Sequence, residues 1–401
     1  MGQEFIDFEQ SLQIIRSLQV SWGAKENVFI ADMHRRVGAE DVVADSDNPV
    51  ALTASMDGYA LQYASQDKKL QIVGDNPAGS KLSQKVSSHN CIKTFTGSLM
   101  PKGSDTLVPI ENVTAKNTAL TVQKKVPKGF ACRMPGETYA KGEVLIPKGS
   151  TLGWSEAAVL ASVNRPYMSV FQKPKVAIAS SGSELLELGQ RQQNDAQIRS
   201  ANHIALQSMV EKCGAHSVQY GVVADNKEAM LQTVQKALLS CEIVITTGGV
   251  SVGDYDFTKE VIEKCGAKIL FHGVKIKPGQ HLLLSQKGNK FILALPGFAY
   301  SAMVTAFLYL PALLALYYER NYVLKTFQAV MQEDFSKPAG KTAFFAVRVT
   351  NTGGKLYADF GGKKFGSSAD LTNLKSGDGL LMLEPHTTQI KKGQEVRLLL
   401  L

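Results

Sequence analysis

Cysteine is scarce in this chain: five are spread over 401 residues (Cys91, Cys132, Cys213, Cys241 and Cys265), and no two form a C-x-x-C pair. The seven histidines show no cluster at metal-ligand spacing. A disulfide framework and a zinc site are therefore not expected, and a reducing cytoplasm is the expected setting. Arginine-rich runs and basic arms are missing too. The excess of 44 basic over 36 acidic residues is dispersed, which favours small acidic substrates over nucleic acid. The opening MGQEFIDFEQ carries acids where a secretory signal carries lysines, so export is not expected. No repeat of roughly 20 to 50 residues is apparent.

Charge is absent from residues 291–318, a stretch longer than the roughly 20 apolar residues of a membrane-spanning helix. Pro296 and Gly297 divide it, however, into the short strand FILAL and a helix from about Tyr300, which Pro311 interrupts in turn. A buried strand, a turn and a core helix are expected, with a membrane span as the lesser alternative.

What is present is ordinary globular material, 44% hydrophobic and 20% charged, in a chain long enough for two or more domains. Residues 1–45 read as helical from the spacing in SLQIIRSLQ. Residues 51–137 break into short, glycine-punctuated segments such as LQIVGDNPAG and DTLVPIENV, a small β-rich module. Helix returns over 138–170 in TLGWSEAAVLASVN, closed by Pro166. From Lys175 strands and helices alternate (KVAIAS, SANHIALQSMVEKCG, HSVQYGVVA, DNKEAMLQTVQKALLSC, EIVITT), which predicts a mostly parallel, doubly wound sheet. After Val323, FFAVRVT, KLYADF, GLLMLEP and EVRLLLL predict a small β-barrel or sandwich. The expected domains are 1–50 with 138–170, 51–137, 171–322 and 323–401.

In doubly wound sheets ligands sit beyond the carboxyl ends of the strands. The first strand here runs into SSGSEL with Glu184, the second ends at Asp225, and the third runs into TTGGVSVGDYDF with Asp254 and Asp256. A glycine-rich turn between strand and helix lets backbone N–H groups approach an anion. Carboxylates beside it suit Mg²⁺, which takes oxygen ligands and keeps several waters. Each acid also has a plainer reading. Asp225, with Glu228 three residues on, is placed to cap a helix; Asp256 can act on a helix dipole; Glu184 can be merely solvated. Convergence on one sheet edge favours the functional reading. Elsewhere, Asp57-Gly58 in SMDGYA reads as a hairpin turn, Thr96-Gly97 as another turn, and Lys277 precedes a Pro-Gly turn in IKPGQ.

GAEDVVA, SMDGYA, TGSLMPKGSD, SGSEL, QIRSAN, GGVSVGDYDFTK, IKPG and ALPG occur in this order over nearly the whole chain. Together they resemble the MoeA family, the gephyrin E-domain type of molybdopterin molybdenumtransferase. The resemblance implies a multidomain α/β fold: a doubly wound molybdopterin-binding α/β domain, a small β-rich inserted module, a helical linker and dimerisation domain, and a C-terminal β-barrel. It also implies a cytoplasmic homodimer that inserts molybdate into adenylylated molybdopterin with Mg²⁺ and releases AMP. Molybdopterin adenylyltransferase and molybdoenzyme apoproteins are the partners it suggests. Asp57, Glu184, Asp225 and Asp256 fall on catalytic positions, the last three as Mg²⁺ ligands, with Asp57 expected from the partner subunit. Thr96, Ser181, Gly182, Gly248, Gly249, Ser251, Gly253, Lys277, Pro296 and Gly297 fall on cofactor-binding positions.

The departures from that pattern are specific. ALPGFA replaces GLPGNP with Phe298 in the turn, IKPGQ replaces IKPGK at Gln280, and a lysine before IKPG aligns with Gly273. RMPGET has Thr138 for an acid, SGSEL has Ser183 for an acid, and Lys341 stands for an arginine. A second expectation is accordingly a paralogue that binds molybdopterin or its adenylate as a carrier or assembly protein without inserting metal. A Mg²⁺-dependent nucleotide enzyme outside this pathway is a third.

Overall fold

The computed structural model describes residues 5–80, 84–248, 258–363, 368–375 and 378–401; Gly249, Ser251, Gly253, Asp254 and Asp256 lie outside the described residues. The chain divides into two compact units, Val28–His34 with Glu40–Met168, and Met1–Asn27 with Arg35–Ala39 and Ser169–Leu401. Among the described residues there are six α-helices: α1 (Phe8–Ser17), α2 (Trp154–Ser162), α3 (Asn202–Lys212), α4 (Lys227–Ser240), α5 (Thr258–Lys264) and α6 (Ala299–Tyr317).

The smaller unit is built on a six-stranded sheet in the order Thr106–Pro109, Gly58–Leu61, Asn90–Thr94, Leu70–Asn76, Ala119–Val122 and Val113–Lys116. Gly58 is not a hairpin turn, as its Asp-Gly pair suggested. It opens a strand, opposite Thr94 on one side and Pro109 on the other. A Cβ there would stand 2.3 Å from the Val108 carbonyl oxygen, so the close approach of backbones demands glycine. Of the predicted helix over 138–170 only α2 forms, where the Glu156 carboxylate accepts the Gly153 N–H at 2.8 Å. Val144–Ile146 and Tyr167–Phe171 are strands.

In the larger unit, the helix read over 1–45 is confined to α1, begun where the Asp7 N–H donates to Gln10 Oε1 at 3.0 Å. The alternating segments form a six-stranded sheet of β1 (Lys175–Ser181), β2 (His216–Val223), β3 (Ile243–Thr247), β4 (Lys268–His272), β5 (Leu283–Lys287) and β6 (Lys290–Leu295). The order is β2-β1-β3-β6-β5-β4. The first four strands are parallel, and β5 and β4 run antiparallel at the far edge. Side-chain alternation decides what covers each face. Val176, Ile178, Ile243, Ile245, Phe291 and Leu293 share a core with α1, α3 and α6. Ala177, Val244, Ile292 and Ala294 share another with α4 and α5.

The uncharged stretch resolves as β6, a turn and α6. Pro311 does not interrupt α6, which runs through it as one helix. By length and composition α6 could cross a membrane, but 78% of its most apolar window is buried inside the protein. Tyr309, at its middle, is fully buried with its hydroxyl 2.7 Å from Ser11 Oγ; that serine's own proton goes to the Phe8 carbonyl at 2.6 Å, so the tyrosine donates. The helix is apolar all round because it is enclosed on most sides.

Five strands close the C-terminal barrel in the order Thr342–Thr352, Lys355–Asp359, Phe327–Met331, Glu395–Leu400 and Gly379–Leu383, the last pairing back to the first. Met331, Val347, Ala358, Leu381 and Leu398 fill it. The IKPG segment is tied to this barrel, with Ile276 opposite Thr342 and Lys277 opposite Ala343 in parallel register.

Candidate functional site

Strands β1, β2, β3 and β6 end side by side, at Ser181, Val223, Thr247 and Leu295. Small polar side chains lace these ends together. Ser181 Oγ donates to Asp225 Oδ1 at 2.7 Å, and Thr247 Oγ1 donates to Ser180 Oγ at 2.9 Å. Asn202, at the start of α3, donates its amide to the Gly297 carbonyl at 2.8 Å. Ser180 and Ser181 are buried, while Asp225 and Glu184 reach solvent at the rim.

The cap expected of Asp225 belongs to its neighbour: Asn226 Oδ1 accepts the Ala229 N–H at 2.9 Å and starts α4. Asp225 is thereby left one residue before the cap, turned to Ser181. Glu184 meets the same corner. A Cβ added at buried Gly182 would lie 2.8 Å from both Glu184 carboxylate oxygens, so this side chain folds back over the Ser181-Gly182 turn. Two carboxylates thus flank one corner.

Glycine is required beside it for a different reason. Gly248 has φ +94, and a Cβ there would sit 2.3 Å from the Ser181 carbonyl oxygen. Its N–H donates to the Leu295 carbonyl at 3.2 Å, and a Cβ on Gly297 would lie 3.5 Å from the Gly248 Cα. The exits of β1, β3 and β6 are in near contact through backbone alone. Glu184 and Asp225 offer hard oxygen donors that fit a cation keeping several waters. Among the described residues no third His, Cys, Asp or Glu joins them, and Asp256, the third expected ligand, lies outside the described residues.

Asp57 and Thr96 are in the smaller unit. The Thr96 N–H and hydroxyl both donate to Asp57 Oδ1, at 2.8 and 2.7 Å. The backbone donor first, then the hydroxyl, hold the Asp57 carboxyl below the usual aspartate range; desolvation opposes them and Lys93 adds a weaker attraction. Both bonds fall on Oδ1, which leaves Oδ2 for a ligand.

Four of the six departures have local explanations, and nothing in the structure explains Phe298 or Ser183. Lys341 donates to Gln280 Oε1, and the Gln280 amide nitrogen lies 2.8 Å from His281 Nε2, so a cation from the barrel edge reaches the glutamine that stands in IKPGQ. Gly273 has φ +90, and a Cβ there would collide with the Phe5 ring at 2.5 Å; no lysine fits that backbone. Thr138 accepts from Arg133 Nη2 at 2.5 Å while Glu137 takes Arg133 Nε at 3.2 Å. Phe298 is 64% exposed beside Gly297, and Lys277 is exposed on its two-residue strand against the barrel.

Asn202, Glu187 and His203 also hold this region. Asn202 ends the QIRSAN segment of the resemblance, which gives it no role, and neither Glu187 nor His203 carries a signal that isolates it in the sequence.

Three segments match known families: residues 6–164 the MoeA N-terminal region (domain I and II), residues 177–315 the probable molybdopterin binding domain, and residues 328–401 the MoeA C-terminal region (domain IV). A molybdopterin molybdenumtransferase of Nostoc sp. is 30% identical over 400 residues, which span 96% of this chain and 92% of that protein. One from Staphylococcus aureus is 29% identical over 404 residues, spanning 98% and 95%. The crystal structure of the molybdopterin biosynthesis moeA protein from Pyrococcus horikoshii OT3 matches with a TM-score of 0.84 at 26% identity, covering 99% of this chain and 100% of that one.

Two substitutions test the geometry. Gly248→Ala must both adopt a positive φ, at about 1–2 kcal/mol, and displace the Ser181 carbonyl. Gly288→Ala, at φ +57 with nothing within 4 Å, bears only the first cost. Urea denaturation should therefore rank Gly248→Ala as clearly the more damaging; equal losses would remove the close approach. Thr96→Val deletes one donor to Asp57. A carboxyl with a lowered folded-state pKa contributes stability above its ordinary range and loses it as pH falls through the folded value. The Asp57 midpoint, followed by carboxyl NMR, should rise in the variant, and an unmoved midpoint would refute the clamp.

Proposed function

This chain belongs to the MoeA family, and from that membership we propose that it is a molybdopterin molybdenumtransferase, inserting molybdate into adenylylated molybdopterin with release of AMP. Its role lies in molybdenum cofactor biosynthesis. The observation that carries the reading is the corner where Glu184 and Asp225 flank the Ser181-Gly182 turn, within the segment that matches the molybdopterin binding domain.

Each residue has a physical task. Ser181 orients Asp225 through a buried hydroxyl. The bare backbone at Gly182, Gly248 and Gly297 admits a phosphate-bearing substrate close to the strand ends, where backbone dipoles stabilise negative charge. Asn202 fixes the Gly297 carbonyl and with it the Pro296-Gly297 turn. Lys277 supplies an exposed cation for substrate oxyanions, and Asp57, already ionised, is suited to accept a proton or hold a hydrated cation. Glu184 and Asp225 would hold Mg²⁺, with Asp256 of the GGVSVGDYDF segment as the third ligand. The ion would neutralise charge on the phosphoanhydride as AMP leaves.

The reading includes a cytoplasmic homodimer. Phe29, Tyr167 and Trp154 of the smaller unit are 46%, 62% and 85% exposed, more aromatic surface than a lone subunit gains from showing to water. Light scattering on the purified protein should give twice the subunit mass, and a clean monomer would remove the dimer from the proposal.

Activity is tested by mixing the protein with adenylylated molybdopterin, Mg²⁺ and molybdate, then following AMP release and reconstitution of a molybdenum-free apoenzyme. Molybdate-dependent AMP release is expected, and Asp225→Asn or Glu184→Gln should lower it at least about 100-fold, the scale on which loss of a charge-stabilising group acts. Tight binding with no AMP release would instead support the carrier reading, to which Gln280 and exposed Phe298 lend weight.

A further inference from the structure

We propose that His203 is a positioning residue: it latches the loop of residues 182–200, which carries Glu184, onto the first turn of α3. The proposal rests on the reading above for the role of Glu184. His203 is 4% exposed, and its imidazole lies between two side chains of that loop. Nδ1 is 2.8 Å from Ser200 Oγ, and Nε2 is 3.4 Å from Glu187 Oε2. A Ser-His-Glu string invites comparison with a nucleophile and its base. Burial argues otherwise, since Ser200 is only 7% exposed and no substrate can reach its oxygen.

The loop around these residues is a small closed structure. Leu185–Leu186 pairs in parallel with Ile198–Arg199. The Ile198 N–H donates to the Glu184 carbonyl at 2.8 Å and the Ser200 N–H to the Leu186 carbonyl at 3.0 Å. Glu187 fastens it outward: its Oε1 accepts the Val222 N–H of edge strand β2, and its Oε2 faces His203. The His203 carbonyl accepts from Gln219 Nε2 of β2 at 2.9 Å, which holds the helix turn itself in place. The residue before it, Asn202, holds Gly297. One turn of α3 therefore sets both the Glu184 loop and the turn after β6. Without the imidazole, Glu187 keeps only the edge-strand contact, and the position of Glu184 is no longer fixed against Gly297.

The test uses the full-length protein with His203→Ala, His203→Gln and Glu187→Ala, the glutamine offering an N–H toward Glu187. Amide hydrogen exchange over residues 183–200 is read alongside kcat and KM for adenylylated molybdopterin. His203→Ala should speed exchange in that segment but not in α4, and lower kcat about 10- to 100-fold, as expected for a residue that supports a ligand rather than serving as one. His203→Gln should restore both in part. Should His203→Ala fail to fold, Glu187→Ala decides, because that side chain is 37% exposed and outside the core. Unchanged exchange over 183–200 in the folded variants overturns the latch, as does a kcat that stays at the wild-type value while exchange rises. A wild-type protein without transfer activity would instead sink the reading of the site, and the exchange data would still judge the latch.

Discussion

A carbonyl oxygen and an α-carbon set the terms for the site. Ser181 and Gly248 approach so closely that no side-chain carbon fits between them, and Gly297 stands close behind. The contact arises from parallel strands ending level with one another, because β1, β3 and β6 are hydrogen-bonded neighbours whose chains must all turn away at the same edge. Bulk at that edge would force the strands apart. Removing it exposes peptide groups to whatever lies beyond the strands, which is the usual ligand position in such sheets. Serine and threonine hydroxyls then take over the tying that larger side chains would perform elsewhere, from Asp225 through Ser181 and from Thr247 through Ser180.

Most of the α/β layer was legible because its signal is periodic. The apolar runs of β1, β3 and β6 and the helical spacing of α3 and α4 are local properties, and the convergence of Glu184 and Asp225 follows once the strands are parallel. Choices between adjacent residues were not legible. Asp225 and Asn226 are both good caps, and only the Ser181 hydroxyl, 44 positions away in sequence, draws the aspartate out of that role. Gly58 looked like half of a turn because the Val108 carbonyl that requires it is 50 positions distant. His203 and Glu187 are invisible for the same reason. Pro311 misled in the other direction: a helix enclosed by core side chains tolerates one missing N–H that would end an exposed helix.

Four of the positions that depart from the family pattern have identifiable neighbours, while nothing in the structure explains Phe298 or Ser183. A cation at the barrel edge, Lys341, reaches Gln280; an aromatic ring, Phe5, occupies the space over Gly273; Arg133 turns to Glu137 and Thr138 together. Two lysine positions of the family pattern are thus neutral here, at Gln280 and Gly273, and the one cation that is kept, Lys341, donates to Gln280. Lysine at that edge presents a single point charge where arginine would present a planar fork, so it holds an anion with less control of orientation.

The barrel is also sewn into the layer that precedes it. Tyr300 at the head of α6 donates to the Phe344 carbonyl and accepts the Ala346 N–H, Ile276 and Lys277 pair with its first long strand, and Phe344, Ala346, Leu380 and Leu399 belong to the same core as α1 and α6. The C-terminal segment is consequently not a detachable module: cutting the chain near residue 325 would bare one side of the least polar α-helix among the described residues, so a shortened or exchanged protein has to carry α6 and the barrel together.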